Sequence, residues 1–192
     1  MDAFLAYLDT SVPLQEQEKA LVAKHCRTLQ LAKGTHLLRA GAVSRAFYYN
    51  ISGLVRLYYL REEREVSAYF YDAGSFISAY ESFVRQTPAQ LNLQVMEPSI
   101  LIEINQKAAA TLLAASSKFE VIARLAMEEE LIAKQHIIAN LLSLNPEERY
   151  YHLMDTQPSL FQRLPQHYLA SYIGVKPESL SRIKKRHAGR KS

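Results

Sequence analysis

Cysteine is nearly missing from this chain of 192 residues: Cys26 stands alone. One thiol excludes an intrachain disulfide, and it excludes a cysteine-held zinc or iron–sulfur site, which takes about four thiolates. The scarcity suits a reducing compartment. Long apolar runs are missing too, since none approaches the ~20 residues that span a bilayer. The opening "MDAFLAYLDTSVPLQEQEKA" carries acids early and has no basic stretch leading into an apolar one. No signal peptide is evident. These absences predict a soluble cytoplasmic protein that makes no membrane contact.

Signatures of catalysis are also absent. There is no Gly-x-Ser-x-Gly elbow, no Gly-rich phosphate loop and no His-Glu-x-x-His. His25, His36, His136, His152, His167 and His187 are scattered, with no His-x-His or His-x-x-x-His pair. The residues therefore point to no metal, no cofactor and no enzyme. A cupin-type enzyme, which a small β-roll also suggests, would need clustered His and Glu ligands that this chain lacks.

What is present is an uneven charge. The net charge of +4 is mild. From Arg163 onward, however, eight basic residues (Arg163, Lys176, Arg182, Lys184, Lys185, Arg186, Arg190 and Lys191) face one acid, Glu178, which gives that segment +7. The remainder holds 15 basic and 18 acidic residues, or −3. An acidic body with a basic end is the electrostatic footprint of a polyanionic partner such as nucleic acid, although a disordered basic tail gives the same count.

Hydrophobic residues make up 48% of the chain, enough for one good-sized domain or two modest ones with a real core. The first 25 residues read as helical, with Phe4, Leu5, Leu8, Leu14 and Leu21 spaced among Gln and Glu. From Arg27 to Ile104 the texture is of short strands. "TLQLAKGTHLLRAG" breaks at Gly34 and Gly41, "FYYNISGLVRLYYL" turns at Ser52-Gly53, "EVSAYFYDAG" ends at Gly74, and "QLNLQVMEPSILIEI" makes two strands joined at Glu97-Pro98. Regular strands with glycine turns predict an antiparallel roll or barrel.

Between Asn105 and Pro146 there is neither Gly nor Pro. Residues 106–115 read as a short helix, and Ser116 or Ser117 is placed to cap a long one ending near Ser143. Met127, Leu131, Ile138 and Leu141 follow the 4-3 spacing of a helical seam, interrupted by Lys134, while Phe119, Ile122, Ala126, Ala133 and Ile137 lie on another side. One stripe suits the roll and the other a second copy, although burial on two sides of one domain fits the periodicity equally. Glu128-Glu129-Glu130 reads as a solvated face.

The last segment starts with Asn145 as a cap, Pro146 at the first helical position and acids in the first turn. "FQRLPQHYLASYIGVKPESLSRIKKRH" then gives two short helices around a turn at Gly174, with Leu180 and Ile183 inward on the second. This is a helix-turn-helix pattern, whose second helix enters the major groove. Glu178, Ser181, Arg182 and Lys185 share the opposite face. Arg matches the O6 and N7 of guanine, and Glu accepts from the N4 amine of cytosine. Glu178, Ser181 and Arg182 are thus the candidate base readers. Lys176, Ser179, Lys184, Lys185 and Arg186 are candidates for phosphate contacts, with Arg190 and Lys191 beyond them.

Taken together, "KGTHLLRAG", "FYYNISGLVRLYY", "YDAGSFI", the long helix and "LASYIGVKPESLSRIKKR" resemble the cyclic-AMP-receptor/fumarate-nitrate-regulator (Crp/Fnr) transcription factors over nearly the whole chain. The resemblance implies an α+β chain. It implies an N-terminal cyclic-nucleotide-binding-like antiparallel β-roll (1–115), a long dimerisation helix (116–143) and a C-terminal helix-turn-helix domain (144–192). It also implies a homodimer on a near-palindromic double-stranded DNA site, with Glu178 and Arg182 at base-reading positions. RNA polymerase and an unidentified small-molecule effector come with the family as further partners. Three departures stand out: Lys176 replaces the usual Ser or Thr cap, Pro177 replaces a DNA-contacting Arg of some members, and too few residues follow the helix for an extended wing.

Family members that bind cyclic AMP carry Gly-Glu for the ribose and, about ten residues later, Arg-Ser for the phosphate. Here the first pair reads as Gly74-Ser75 and the second falls on Ala89-Gln90, without charge. A buried phosphate needs a cation and donors around it. Only Arg85 is near, with Glu81, Ser75, Gly74 and Gln90 as the other candidate pocket residues, so the roll is not expected to respond to cyclic AMP. Cys26 reads as inert packing, and Tyr48, Tyr49, Tyr58, Tyr59, Tyr69 and Tyr71 as strand and core-edge residues. The rival reading is a small-molecule-binding signalling module with little DNA binding.

Overall fold

A computed structural model of the chain describes the backbone of residues 1–190 and the side chains of residues 1–186. It divides into two compact units, Met1–Leu57 with Phe70–Leu131, and Tyr58–Tyr69 with Ile132 onward. Among the described residues no helix is long and apolar enough to cross a membrane.

The chain opens with helices α1 (Asp2–Ser11) and α2 (Glu16–His25), as the apolar spacing predicts. Eight strands follow: β1 (Arg27–Leu31), β2 (His36–Leu38), β3 (Ala46–Ser52), β4 (Val55–Arg61), β5 (Arg64–Tyr71), β6 (Phe76–Ile77), β7 (Asn92–Val95) and β8 (Ser99–Asn105). They form two four-stranded sheets in the orders β1-β8-β3-β6 and β2-β7-β4-β5. Strands far apart in sequence therefore pair, as Arg27 with Glu103 and Ala46 with Asn105. This is an antiparallel roll and not a closed barrel. Gly53, in the β3–β4 turn, has φ +103°, and a Cβ there would sit 2.8 Å from the Cα of Ser99. Only glycine fits both the backbone angle and that close approach.

A six-residue helix, α3 (Tyr80–Arg85), stands between β6 and β7. The sequence pattern does not show it, because so short a helix has no room for periodicity. Next come α4 (Gln106–Ala115), capped by Asn105 Oδ1 accepting from the Ala108 N–H at 2.9 Å, and the 27-residue α5 (Ser117–Ser143). Phe119 and Ile122 of α5 are buried in one cluster with Phe4, Leu8, Ile102 and Ile104. Cys26 lies in the same cluster, and burial pushes its thiol up to about 11, so it stays protonated and unreactive.

The second unit contains Ile132–Ser143 of α5, then α6 (Pro146–Thr156), α7 (Leu160–Arg163), α8 (Gln166–Ile173) and α9 (Pro177–Arg190). Asn145 caps α6 as expected. Its Oδ1 accepts from the N–H groups of Glu147 and Glu148, and Glu148 accepts from the Asn145 N–H at 2.8 Å. The four-residue α7 was not legible in the sequence. Lys191 and the side chain of Arg190 lie outside the described residues.

Within the first unit one carboxylate joins three segments. Glu18 accepts from the Gln15 N–H at 2.7 Å, from Ser116 Oγ at 2.7 Å and from Lys118 Nζ at 2.9 Å. Chiefly through the Gln15 N–H, then Ser116 and Lys118, its carboxyl is pulled from 4.5 down to about 2. A folded value below the unfolded one adds stability above pH 4.5 and loses it as pH falls toward 2. Glu18→Gln should therefore lower the melting temperature at pH 7, with the gap from wild type closing between pH 4.5 and 2. Thermal melts across that range check it; a gap independent of pH would contradict it.

Candidate nucleic-acid interface

The seating of α9 follows from its apolar stripe. Leu180 and Ile183 are buried together with Leu169, Ala170 and Ile173 of α8. The turn between the helices is set by Gly174, which has φ +81° and whose N–H reaches the carbonyls of Ala170 and Ser171. Val175 N–H closes the turn on Ala170 O at 2.9 Å. This αL closure is a glycine-dependent helix end. Arg149 of α6 braces it, donating from Nε to Ile173 O at 2.9 Å and from Nη1 to Leu144 O at 2.7 Å. Nothing in the local sequence pattern marks Arg149 for this role, because its partner lies 24 residues away.

With the stripe buried, the opposite face of α9 is turned outward. Lys176, Glu178, Arg182 and Lys185 are exposed, while Ser179, Ser181 and Lys184 are half-buried. Lys176 stands where a cap would be, and its carbonyl takes the first helical bonds, from Ser179 N–H at 3.0 Å and Leu180 N–H at 3.1 Å. Two expected contacts are modified. Arg186 pairs with Glu147 of α6 at 2.9 Å, so part of its charge is already spent inside the protein. Ser181 Oγ donates to Pro177 O at 3.1 Å and accepts from Gln166 Nε2 at 2.7 Å. Lys184 Nζ lies 5.9 Å from the Phe161 ring centre.

The tip of the β4–β5 hairpin belongs to this same unit. Glu62 and Glu63, both at positive φ, make its turn. Ser171 of α8 donates to Glu65 O at 3.1 Å and accepts from the Ser67 N–H at 2.9 Å. Lys134 of α5 lies 3.9 Å from the centre of the Tyr69 ring, a cation–π distance, which gives this cation a partner away from the 4-3 stripe it interrupts.

The candidate effector residues are placed as follows. Gly74 and Ser75 form the turn after β5, with Gly74 N–H on Asn50 O at 2.8 Å and Asn50 N–H on Ser75 O at 2.9 Å. Arg85 and Glu81 pair with each other at 3.2 Å on α3, their side chains 71% and 73% exposed, so Arg85 is turned to solvent. Gln90 is exposed, while the buried Ala89 is fastened through its backbone to Gly41 and Ala42. The acidic run of α5 is not simply the solvated face expected. Glu128 pairs with Arg124 in solvent, but Glu130 is half-buried and accepts from Tyr71 Oη at 3.2 Å. Burial first, then Tyr7 and the Glu129 carboxylate, push the Tyr49 phenol up to about 12. Tyr49, Tyr58 and Tyr71 are core residues, beyond the core-edge role expected of them; Tyr59 is exposed.

Along α5, Met127, Leu131, Ile138 and Leu141 are 42%, 59%, 56% and 52% exposed, which is high for apolar side chains at seam spacing. Among the described residues no three His, Cys, Asp or Glu side chains converge as a metal ion would require.

Comparison with known proteins agrees with this architecture. Residues 28–116 match the cyclic nucleotide-binding domain family. No curated protein sequence matches the chain. Among solved structures it is similar to CLP, a c-di-GMP responsive global regulator from Xanthomonas campestris, at 19% identity and TM-score 0.71, over 92% of this chain and 93% of that one. A protein from Eubacterium rectale assigned to the Crp/Fnr regulators superposes at TM-score 0.75 with 15% identity, over 96% and 88% of the two chains. A variant of CooA from Carboxydothermus hydrogenoformans gives 0.69 with 16% identity, over 96% and 84%. Residues 28–116 thus match the cyclic nucleotide-binding domain family, in a chain whose fold is similar to that of solved Crp/Fnr-type regulators.

Proposed function

We propose that this chain is a homodimeric, sequence-specific DNA-binding transcriptional regulator of the Crp/Fnr type. The observation that carries the proposal is the outer face of α9, where Glu178, Arg182 and Lys185 stand exposed on the side opposite the buried Leu180 and Ile183. In this reading residues 1–115 are the sensor, 116–143 the dimerisation helix and 144–192 the DNA-binding domain. The exposed seam of α5 takes a second copy, and RNA polymerase is the expected reader of the bound dimer.

If Arg182 grips guanine through two hydrogen bonds, Arg182→Ala should cost about 1–3 kcal/mol and relax selection at that one base pair. Lys185→Ala should weaken all sequences alike, as loss of a phosphate contact does. Binding isotherms on matched and mismatched duplexes separate the two. Unchanged selectivity in Arg182→Ala removes that residue from base reading.

The sensor is proposed not to respond to cyclic AMP. The cation nearest in sequence to the expected phosphate position, Arg85, is exposed and engaged with Glu81, and the α5 side of the unit presents Glu129 and Glu130 to the tyrosines. An anion placed among carboxylates without a cation is unfavourable. Calorimetry should show no heat with cyclic AMP or cyclic GMP at physiological concentration, and neither should alter DNA affinity. A micromolar complex lost in Arg85→Ala would overturn this part of the reading.

A further inference from the structure

We infer that Gln166, the first residue of α8, reads a base, that Ser181 holds it in place for this, and that the base is adenine. The inference rests on the DNA reading above and deepens it. Gln166 is exposed and belongs to the first helix of the pair, yet its side chain reaches the recognition helix, where Nε2 donates to Ser181 Oγ over 2.7 Å. Ser181 Oγ donates in turn to Pro177 O, one turn back, at 3.1 Å.

A hydroxyl has one proton. Because Pro177 O takes it, Ser181 can only accept from Gln166, so the amide must present its nitrogen to the serine. That fixes the amide's orientation. One N–H is used, and the second N–H and the Oε1 acceptor remain available. Adenine offers the complement in the major groove, with N7 accepting and N6 donating, and a Gln amide meets both at once. Guanine would set its O6 acceptor against Oε1, so the pair discriminates. The position suits the task, since Ser181 adjoins Arg182 and lies three residues from Glu178, which puts the amide beside the face proposed to read bases. An amide already held by Ser181 also loses less rotamer freedom on binding. Ser181, whose only proton is committed to Pro177, becomes a positioning residue and gives up the base-reading role its place in the sequence suggested.

Selection of duplexes from a random pool by the full chain tests this with three proteins: wild type, Gln166→Ala and Ser181→Ala. Wild type should enrich adenine at one position in each half-site. Gln166→Ala should lose that preference by roughly tenfold or more while the other positions keep theirs. Ser181→Ala should blur the same position and no other. If Gln166→Ala leaves every position unchanged, or weakens all sequences uniformly, Gln166 reads no base. If the lost preference is for another base, the adenine assignment falls, and if Ser181→Ala leaves that position sharp, the positioning role falls. A wild type that enriches no sequence overturns the DNA reading itself, and this inference with it.

Discussion

The burial of Leu180 and Ile183 where α9 packs on α8, whose Leu169, Ala170 and Ile173 are buried as well, is the constraint on which the rest depends. Two apolar residues three apart define one stripe of a helix, and that stripe has only one place to go. Once it is buried, the polar residues of α9 have no freedom over which way they face. The turn at Gly174 and the Arg149 brace fix how α9 follows α8, so a short segment carries a rigid, outward-facing row of Glu, Arg and Lys. The +7 count of the C-terminal segment would mean little without this seating. Charge on a disordered tail attracts DNA, whereas charge on a fixed helix face can discriminate among bases.

Local chemistry was legible in the sequence wherever it repeats or punctuates. Alternating strands, the glycine turns, the long gap without Gly or Pro that became α4 and α5, the Asn145 cap and the Gly174 turn each follow from one residue type in one backbone role. Two kinds of feature stayed hidden. The six-residue α3 and the four-residue α7 are too short for a period to show. Polar side chains that bond across long sequence separations leave no trace in a single sequence. Ser171 meets Glu65 across 106 residues, and Tyr71 meets Glu130 across 59. A run of three glutamates looks the same whether its last member is solvated or accepts from a buried phenol.

The roll shows how a fold and its ligand chemistry come apart. Residues 28–116 match the cyclic nucleotide-binding domain family, with both sheets and the short helix α3. At the positions where the resemblance calls for a carboxylate and a guanidinium, however, the chain has neither. Fold is retained by the packing of β-branched and aromatic residues, while ligand choice depends on a few polar groups that packing does not require. α5 is shared between the two units, with Ser117–Leu131 in the first and Ile132–Ser143 in the second.

The central claim is that two copies of α9 engage DNA together through the seam of α5. Hydroxyl-radical footprinting of the purified chain on a selected duplex, with sedimentation of the same sample, tests it most directly. The account predicts a dimer protecting two half-sites whose centres lie about 34 Å apart, one helical turn, related by twofold symmetry. A single unrepeated patch of protection, made by a protein that sediments as a monomer, would contradict it.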